Sequence, residues 1–227
     1  MAENRHMQAA VISCSSLAGF VDEAQRRQGT CWPVVVLDKK FHTEPEEMKQ
    51  QFQDAVRRLP PEIDTVLTAM AFCGGVFDHV VFDRRIVIPR ADDCVSILLY
   101  TGADALPNLK QTGHLYLYEK EPADFSALRI LRDQEAEDAL YYGKDPAWVR
   151  SQWLAGYGYM DIIDTGATDC YSEAYAAAAQ EEADRIGAVL DYVPGSLTML
   201  EDLVAGRFEE RFLDIPPGTM IRHGDFF

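Results

Sequence analysis

Four of the five cysteines in this sequence stand directly after stretches that are typical of buried β-strands. Cys14 follows the apolar run AAVIS, Cys73 follows IDTVLTAMAF, Cys94 follows IVIPRADD, and Cys170 follows YMDIIDTGATD. The carboxyl ends of the strands in an open parallel sheet meet along one edge, beside the helix N-termini, and ligands bind in that crevice. The spacing therefore predicts that these four thiols share one edge of a sheet. Cys31 begins a strand-like run, so it is predicted to lie at the opposite edge of the sheet.

Thiolates in this arrangement suit two kinds of chemistry. Three or four of them would hold a soft metal, either zinc or an iron–sulfur cluster, with a coordination position open to substrate. No CxxC pair is present, so the fold would have to bring such ligands together. Helix N-termini favour the thiolate and predict lowered thiol pKa values. In the metal-free alternative, one thiol is a nucleophile or proton-transfer group for a small substrate, with Cys73 and Cys170 as the pair.

Other residues on the same predicted edge are candidates for supporting roles. His42 follows a strand and would be a ligand or a base, although a histidine next to a helix cap also has an ordinary structural role. Gly74 and Gly75 form a turn that is a candidate cofactor-binding segment. Arg90 would pair with neighbouring aspartates or hold a carboxylate substrate. Asp93 would orient a ligand, but N-capping of the following helix explains it equally well.

Strand-like and helical patterns alternate nearly throughout the chain, which predicts a doubly wound, mostly parallel α/β sheet with helices on both faces. We expect a single α/β domain over 1–227, with two related Rossmann-like lobes, 9–120 and 159–215, joined by a helical segment, 121–158, as the alternative. The predicted strands are 9–13, 31–37, 63–71, 86–89, 114–119, 159–164, 188–193 and 212–215.

Composition and charge exclude several classes of partner. A formal charge of −16 and scattered basic residues argue against nucleic acid. No apolar run reaches the roughly 18 residues of a membrane span, and the short polar start lacks a signal sequence, which predicts a cytoplasmic protein. An odd number of cysteines in a reducing compartment predicts free thiols. Neither a P-loop nor a G-x-G-x-x-G motif follows a strand, which disfavours nucleotide binding.

Four segments together carry a family resemblance: ISCSSL, FHTEPEEM, FCGG and IPRADDC. In this order they resemble a family of uncharacterised bacterial and archaeal proteins, the domain of unknown function 1638, over about Ala9 to Val193. The resemblance implies cysteines at Cys14, Cys73 and Cys94 and a histidine–proline element at the position of His42 and Pro45. It implies Cys170 only for part of the family, which reduces a four-thiolate site to three. It also implies a setting beside corrinoid-dependent methyltransferase components.

These inferences lead to one main hypothesis and two alternatives. The main hypothesis is a cytoplasmic protein with a cysteine-lined zinc or iron–sulfur site in one-carbon, corrinoid-dependent methyl-transfer metabolism. Its metal ligands would be Cys14, Cys73 and Cys94, with Cys170 and His42 as auxiliary candidates. The first alternative is a metal-free cysteine enzyme acting on a small carboxylate or amine. The second is a non-catalytic accessory module that binds a corrinoid protein or methyltransferase. The sequence does not give the oligomeric state.

Overall fold

A computed structural model describes residues 7–102 and 108–226. It confirms the predicted α/β class with a mostly parallel central sheet. The strands are β1 (Ala9–Cys14), β2 (Val34–Leu37), β3 (Thr65–Ala69), β4 (Val80–Val81), β5 (Arg85–Pro89), β6 (His114–Leu117), β7 (Tyr159–Asp164), β8 (Val189–Pro194), β9 (Phe212–Ile215) and β10 (Met220–Ile221). The helices are α1 (Ala18–Gln28), α2 (Pro45–Arg58), α3 (Cys94–Leu99), α4 (Ser126–Tyr142), α5 (Pro146–Trp153), α6 (Glu173–Ile186) and α7 (Thr198–Ala205).

The chain forms two compact units. Unit 1 contains the described residues up to Leu109 and those from Leu197 onward, and unit 2 spans Lys110–Ser196. The strands therefore belong to two separate sheets, and β4 and β10 add a small antiparallel ladder to unit 1. No helix of the described ranges is both long and apolar enough to cross a membrane.

Unit 1 is built on a five-stranded sheet in the order β2-β1-β3-β5-β9. The first four strands are parallel, and β9 pairs antiparallel with β5 at one edge. Every residue of β1 and β3 is buried, as expected for central strands covered on both faces. Helix α2 begins with a proline at its first turn and buries Met48, Phe52, Ala55 and Val56, whose spacing marks one helix face.

The order of these strands creates a topological switch point. The chain passes from β1 to β2 on one side and then to β3 on the other side of β1. The connection after β1 leads to β2 on one side, whereas the connection after β3 leads toward β5 on the other side. This divergence marks a crevice between the carboxyl ends of β1 and β3. Ligands bind at such a crevice in open α/β sheets. Unit 1 thus has one architecturally favoured ligand position, beside the end of β1 and the end of β3.

Unit 2 contains a parallel three-stranded sheet in the order β6-β7-β8. Each strand lies beside its predecessor, so this sheet has no switch point. Its core contains Met160 and Ile162 of the central strand and Tyr175, Ala179 and Ala183 of α6. The alanines let the helix approach the sheet closely.

Candidate functional site

Cys14 is the last residue of β1, and its side chain is fully buried. The turn that follows is fixed by backbone hydrogen bonds, in which Ser15 donates to Leu37 O over 2.7 Å and Leu17 donates to Cys14 O over 2.9 Å. The Ser16 hydroxyl donates to Cys14 Sγ over 3.0 Å. The thiol is therefore held at the end of the central strand, with a hydroxyl donor directed at its sulfur.

Cys73 lies in a tight turn after β3 and has a partly exposed side chain. Its φ is +43°, and the next two residues, Gly74 and Gly75, have φ values of +74° and +104°. A left-handed conformation destabilises a non-glycine residue by about 1–2 kcal/mol. The Cys73 N–H donates to Asp92 O over 2.8 Å, which fixes this strained turn against the segment before α3. Strain of this kind concentrates at functional sites.

Cys94 begins α3 and is buried. The Asp93 side chain accepts hydrogen bonds from the Val95 and Ser96 N–H groups, so the predicted N-cap is formed. The two sulfurs of Cys73 and Cys94 are 3.9 Å apart. The turn after β3 and the start of α3 therefore bring together two thiols that are 21 residues apart in the sequence.

Cys94 also interacts with the third thiol. Hydrogen bonds with Cys14 and with Cys73 raise the pKa of the Cys94 thiol well above its usual range, and burial raises it further. The expectation that a helix N-terminus would lower this pKa is therefore wrong for Cys94. Neighbouring thiols in an apolar site oppose a thiolate more strongly than a single short helix favours it. Three thiols, here called the thiol cluster (Cys14, Cys73 and Cys94), meet at the switch point of unit 1.

Three other predicted site residues, Gly74, His42 and Arg90, lie at different places in unit 1. A Cβ on Gly74 would lie 3.7 Å from Pro45 Cγ, so the start of α2 is next to the Cys73 turn. The backbone of His42 belongs to the short 3-10 helix before α2, but its side chain lies outside the described residues. Arg90 is exposed, and its guanidinium donates to Asp225 O over 2.6 Å, so it holds the end of the chain.

Cys170 and Cys31 are not members of the thiol cluster. Cys170 belongs to unit 2, where it is buried in the core with Leu117 and Tyr175. Burial raises the pKa of its thiol, and the Asp164 carboxylate contributes to the rise. Cys31 is exposed and precedes β2, which begins only at Val34. All five cysteines are free thiols.

The thiol cluster fits a mononuclear metal in part. Tetrahedral zinc with bonds of about 2.3 Å places two thiolate sulfurs about 3.8 Å apart, and the sulfurs of Cys73 and Cys94 are 3.9 Å apart. Within the described residues, no group of three or more His, Cys, Asp or Glu side chains is arranged to hold a metal ion. A third ligand would have to rotate toward the Cys73–Cys94 pair.

Two features of the site were not found from the sequence. The sequence contains a sign of the first feature, the hydrogen bond from Ser16 to Cys14. A serine two residues after a cysteine at a strand end is close enough for its hydroxyl to donate to the thiol. The second feature is the strap, defined as Met220–Phe226, which covers the segment around the Cys73 turn. Phe226 is buried, and its ring centroid lies 4.8 Å from that of Phe72.

The chain matches the model of a known protein family. The model of the family described as "Protein of unknown function (DUF1638)" matches residues 36–204, and the chain belongs to this family. No curated protein and no solved structure matches the chain. The match contains Cys73, Cys94 and Cys170 and begins after Cys14.

Proposed function

We propose that this member of the DUF1638 family binds one zinc ion at Cys14, Cys73 and Cys94 and uses an open coordination position in one-carbon chemistry. The observation that supports the proposal is the meeting of three thiols at the switch point, with two sulfurs 3.9 Å apart. Thiolates of this kind are preferred zinc ligands.

The separation of the sulfurs favours a mononuclear ion over an iron–sulfur cluster. Ligands of a single tetrahedral ion share one metal atom, so their sulfurs lie near one another. The cysteines of a four-iron cluster bind different irons and must stand farther apart. The sulfurs of Cys73 and Cys94 are 3.9 Å apart, which matches the short separation around a single ion.

Bound zinc would supply Lewis-acid activation of a thiol or methyl acceptor at the open position. The chain itself contributes three further functions. Cys94 is protonated without metal because its neighbours and burial raise its pKa, so it must release a proton when it binds zinc. Ser16 donates to the Cys14 sulfur and holds its orientation. The strained Cys73 turn presents the most exposed thiol of the three to a substrate.

Metal analysis of anaerobically purified protein tests this proposal. We expect about one equivalent of zinc in the wild type and in Cys31→Ser, and a loss of most of it in Cys73→Ser and Cys94→Ser. Cys31→Ser is the matched control because this thiol is exposed and outside the cluster. Cobalt(II) added to the apo protein should give thiolate-to-metal charge-transfer absorption that the two cluster variants weaken. Less than a few tenths of an equivalent, unchanged by Cys73→Ser, contradicts the proposal.

The proposed setting is corrinoid-dependent methyl transfer in the cytoplasm, with a small-molecule substrate and a corrinoid protein or methyltransferase as partner. It rests on the resemblance of the sequence segments and on the thiol cluster. The accessory-module alternative predicts co-purification with a methyltransferase component and no turnover by the isolated protein. Pull-downs from native cells, combined with methyl-transfer assays on the purified components, distinguish the two.

A second candidate function is metal-free thiol chemistry at Cys73. The observation in its favour is that Cys73 is partly exposed and conformationally strained, whereas Cys14 and Cys94 are buried. Such an enzyme predicts rapid alkylation of one thiol, at Cys73, in protein that contains no metal. Labelling that is equally slow at all three cluster thiols contradicts this alternative.

A further inference from the structure

Unit 1 has a groove that is separate from the thiols themselves. It lies between the edge strand β2 and helix α2 and has a volume of about 220 Å³. At roughly 30 Å³ for each water molecule, this is space for about seven waters, or for an apolar chain of about six to eight carbons. Most of its lining is apolar, and the apolar residues are Val35, Val36, Leu37, Ala55 and Leu59.

The groove has the composition of a ligand site rather than of a packing defect. Ligand sites combine an apolar lining with a few polar groups that orient the ligand. The polar lining residues here are Arg58 and Gln51, and the Gln51 amide also donates to the Glu47 carboxylate over 2.8 Å. The groove is also open to solvent, because Val36 is 51% exposed. An apolar surface of this kind is unfavourable in water unless something covers it.

Arg58 is the cation of this groove. The preceding residue, Arg57, forms an ion pair with Asp54, whereas in the described part of the chain Arg58 forms no ion pair. An arginine in the last turn of a helix often serves the helix end itself. The Arg84 guanidinium donates to the carbonyls of Leu59 and Ile63, which follow the last residue of α2. Arg58 is exposed and lines the groove, so its guanidinium can meet a ligand there.

We propose that this groove binds a small apolar carboxylate, with the carboxylate on Arg58 and the hydrocarbon chain along β2. The Arg58 guanidinium in the groove lining favours an anionic head group over a cationic one at this position. The guanidinium binds a carboxylate through two parallel hydrogen bonds. The inference does not depend on the thiol cluster or on its metal.

Calorimetric titration with straight-chain carboxylates tests the proposal. Each buried methylene contributes enough to tighten binding by about fourfold. Affinity should therefore rise from butyrate to hexanoate to octanoate and then level off as the groove fills. Octylammonium should bind at least tenfold more weakly than octanoate. Equal affinity for the two head groups, or no binding of octanoate, overturns the proposal.

Three variants on α2 separate charge from volume. Arg58→Gln should weaken the binding of octanoate about 10- to 100-fold, because it removes a charge-assisted hydrogen bond to the carboxylate. Arg57→Gln is the matched control, with the same charge change one residue away, and should leave affinity within twofold. Ala55→Leu fills the groove and should abolish binding while Arg58 is unchanged. Equal effects of the two arginine variants overturn the proposal.

A second copy of the chain is the competing occupant of this apolar face. Sedimentation of the wild type and of Ala55→Leu distinguishes the two occupants. A monomer that binds octanoate supports the carboxylate site. A dimer that Ala55→Leu dissociates overturns it.

Discussion

Truncation of the buried side chain of Phe226 should strongly destabilise unit 1. The side chain is 2% exposed. Its ring centroid lies 4.8 Å from that of Phe72 and 6.4 Å from that of Phe77. Phe→Ala in a core costs about 3–5 kcal/mol, and aromatic pairs add to the loss. We expect a loss of about 3 kcal/mol in the free energy of unfolding, at the lower end of this range.

Urea unfolding, monitored by circular dichroism, measures this loss. With a slope of about 2 kcal/mol per molar urea, Phe226→Ala should lower the midpoint by about 1.5 M. Met220→Ala is the control within the same strap, because Met220 is 41% exposed. It should change stability by no more than about 0.5 kcal/mol.

The same variant tests whether the strap restrains the thiol cluster. Phe72 precedes Cys73, so loss of the ring of Phe226 should loosen the turn and speed alkylation at Cys73. The exposed Cys31 serves as the internal reference for reagent reactivity. A loss in the free energy of unfolding for Phe226→Ala that is no larger than the loss for Met220→Ala would contradict this expectation. The expectation is also refuted if the midpoint falls while labelling of Cys73 relative to Cys31 stays constant.

Three further predictions concern single residues. Gly113→Ala should destabilise the protein by more than about 2 kcal/mol, because φ is +82° and the new Cβ would lie 2.8 Å from a backbone oxygen. Gly29→Ala is the control, because Gly29 has a φ of +67° but open space around it, and it should cost only about 1 kcal/mol. Equal urea midpoints for the two variants would contradict this prediction. Hydrogen bonds from Arg26 and Arg27 lower the pKa of Glu23 from 4.5 to about 2, so the stabilising contribution of Glu23 is present above pH 4.5 and is lost as the pH falls toward 2. The wild type should therefore be more stable than Glu23→Gln above pH 4.5 and lose this difference between pH 4.5 and 2. A stability difference that does not change with pH would contradict the prediction. Asp161→Ala removes a carboxylate that is 1% exposed and lies 2.6 Å from His114 Nδ1. Loss of this buried, charge-assisted hydrogen bond should cost about 1.5–3 kcal/mol, and a change below about 0.5 kcal/mol in thermal or urea unfolding would rule out a stabilising role.

The sequence was most informative where apolar runs are bounded by turn residues. Strands β1, β7 and β9 lie within a residue of their predicted ends, because such runs are long and clearly delimited. The rule that thiols after parallel strands share an edge also placed Cys14, Cys73 and Cys94 correctly relative to their strands. The predicted cap at Asp93 forms because an aspartate before an apolar helix has few better partners than the helix N–H groups.

The pairing of strands could not be obtained in the same way. The position of Cys170 after a strand is as predicted, but local patterns do not specify which strands share a sheet, and β7 belongs to a separate sheet of unit 2. The two-residue strands β4 and β10 are too short to show any periodicity. The raised pKa of Cys94 depends on neighbours that only the folded chain brings close. The start of the strand at Cys31 was placed too early because Pro33 interrupts the run before β2.

The interruption of unit 1 by unit 2 has a consequence for synthesis on the ribosome. Unit 2 is one continuous segment, Lys110–Ser196, whereas the sheet of unit 1 needs β9, which pairs with β5 across that segment. Residues 110–196 can therefore complete their contacts first, while β5 waits with an unpaired edge until Phe212–Ile215 emerges. At about 5–20 residues per second, the delay from Pro89 to Phe212 is on the order of ten seconds. During this interval the edge of β5 that β9 will cover has no partner, and an unpaired strand edge is a template for aggregation.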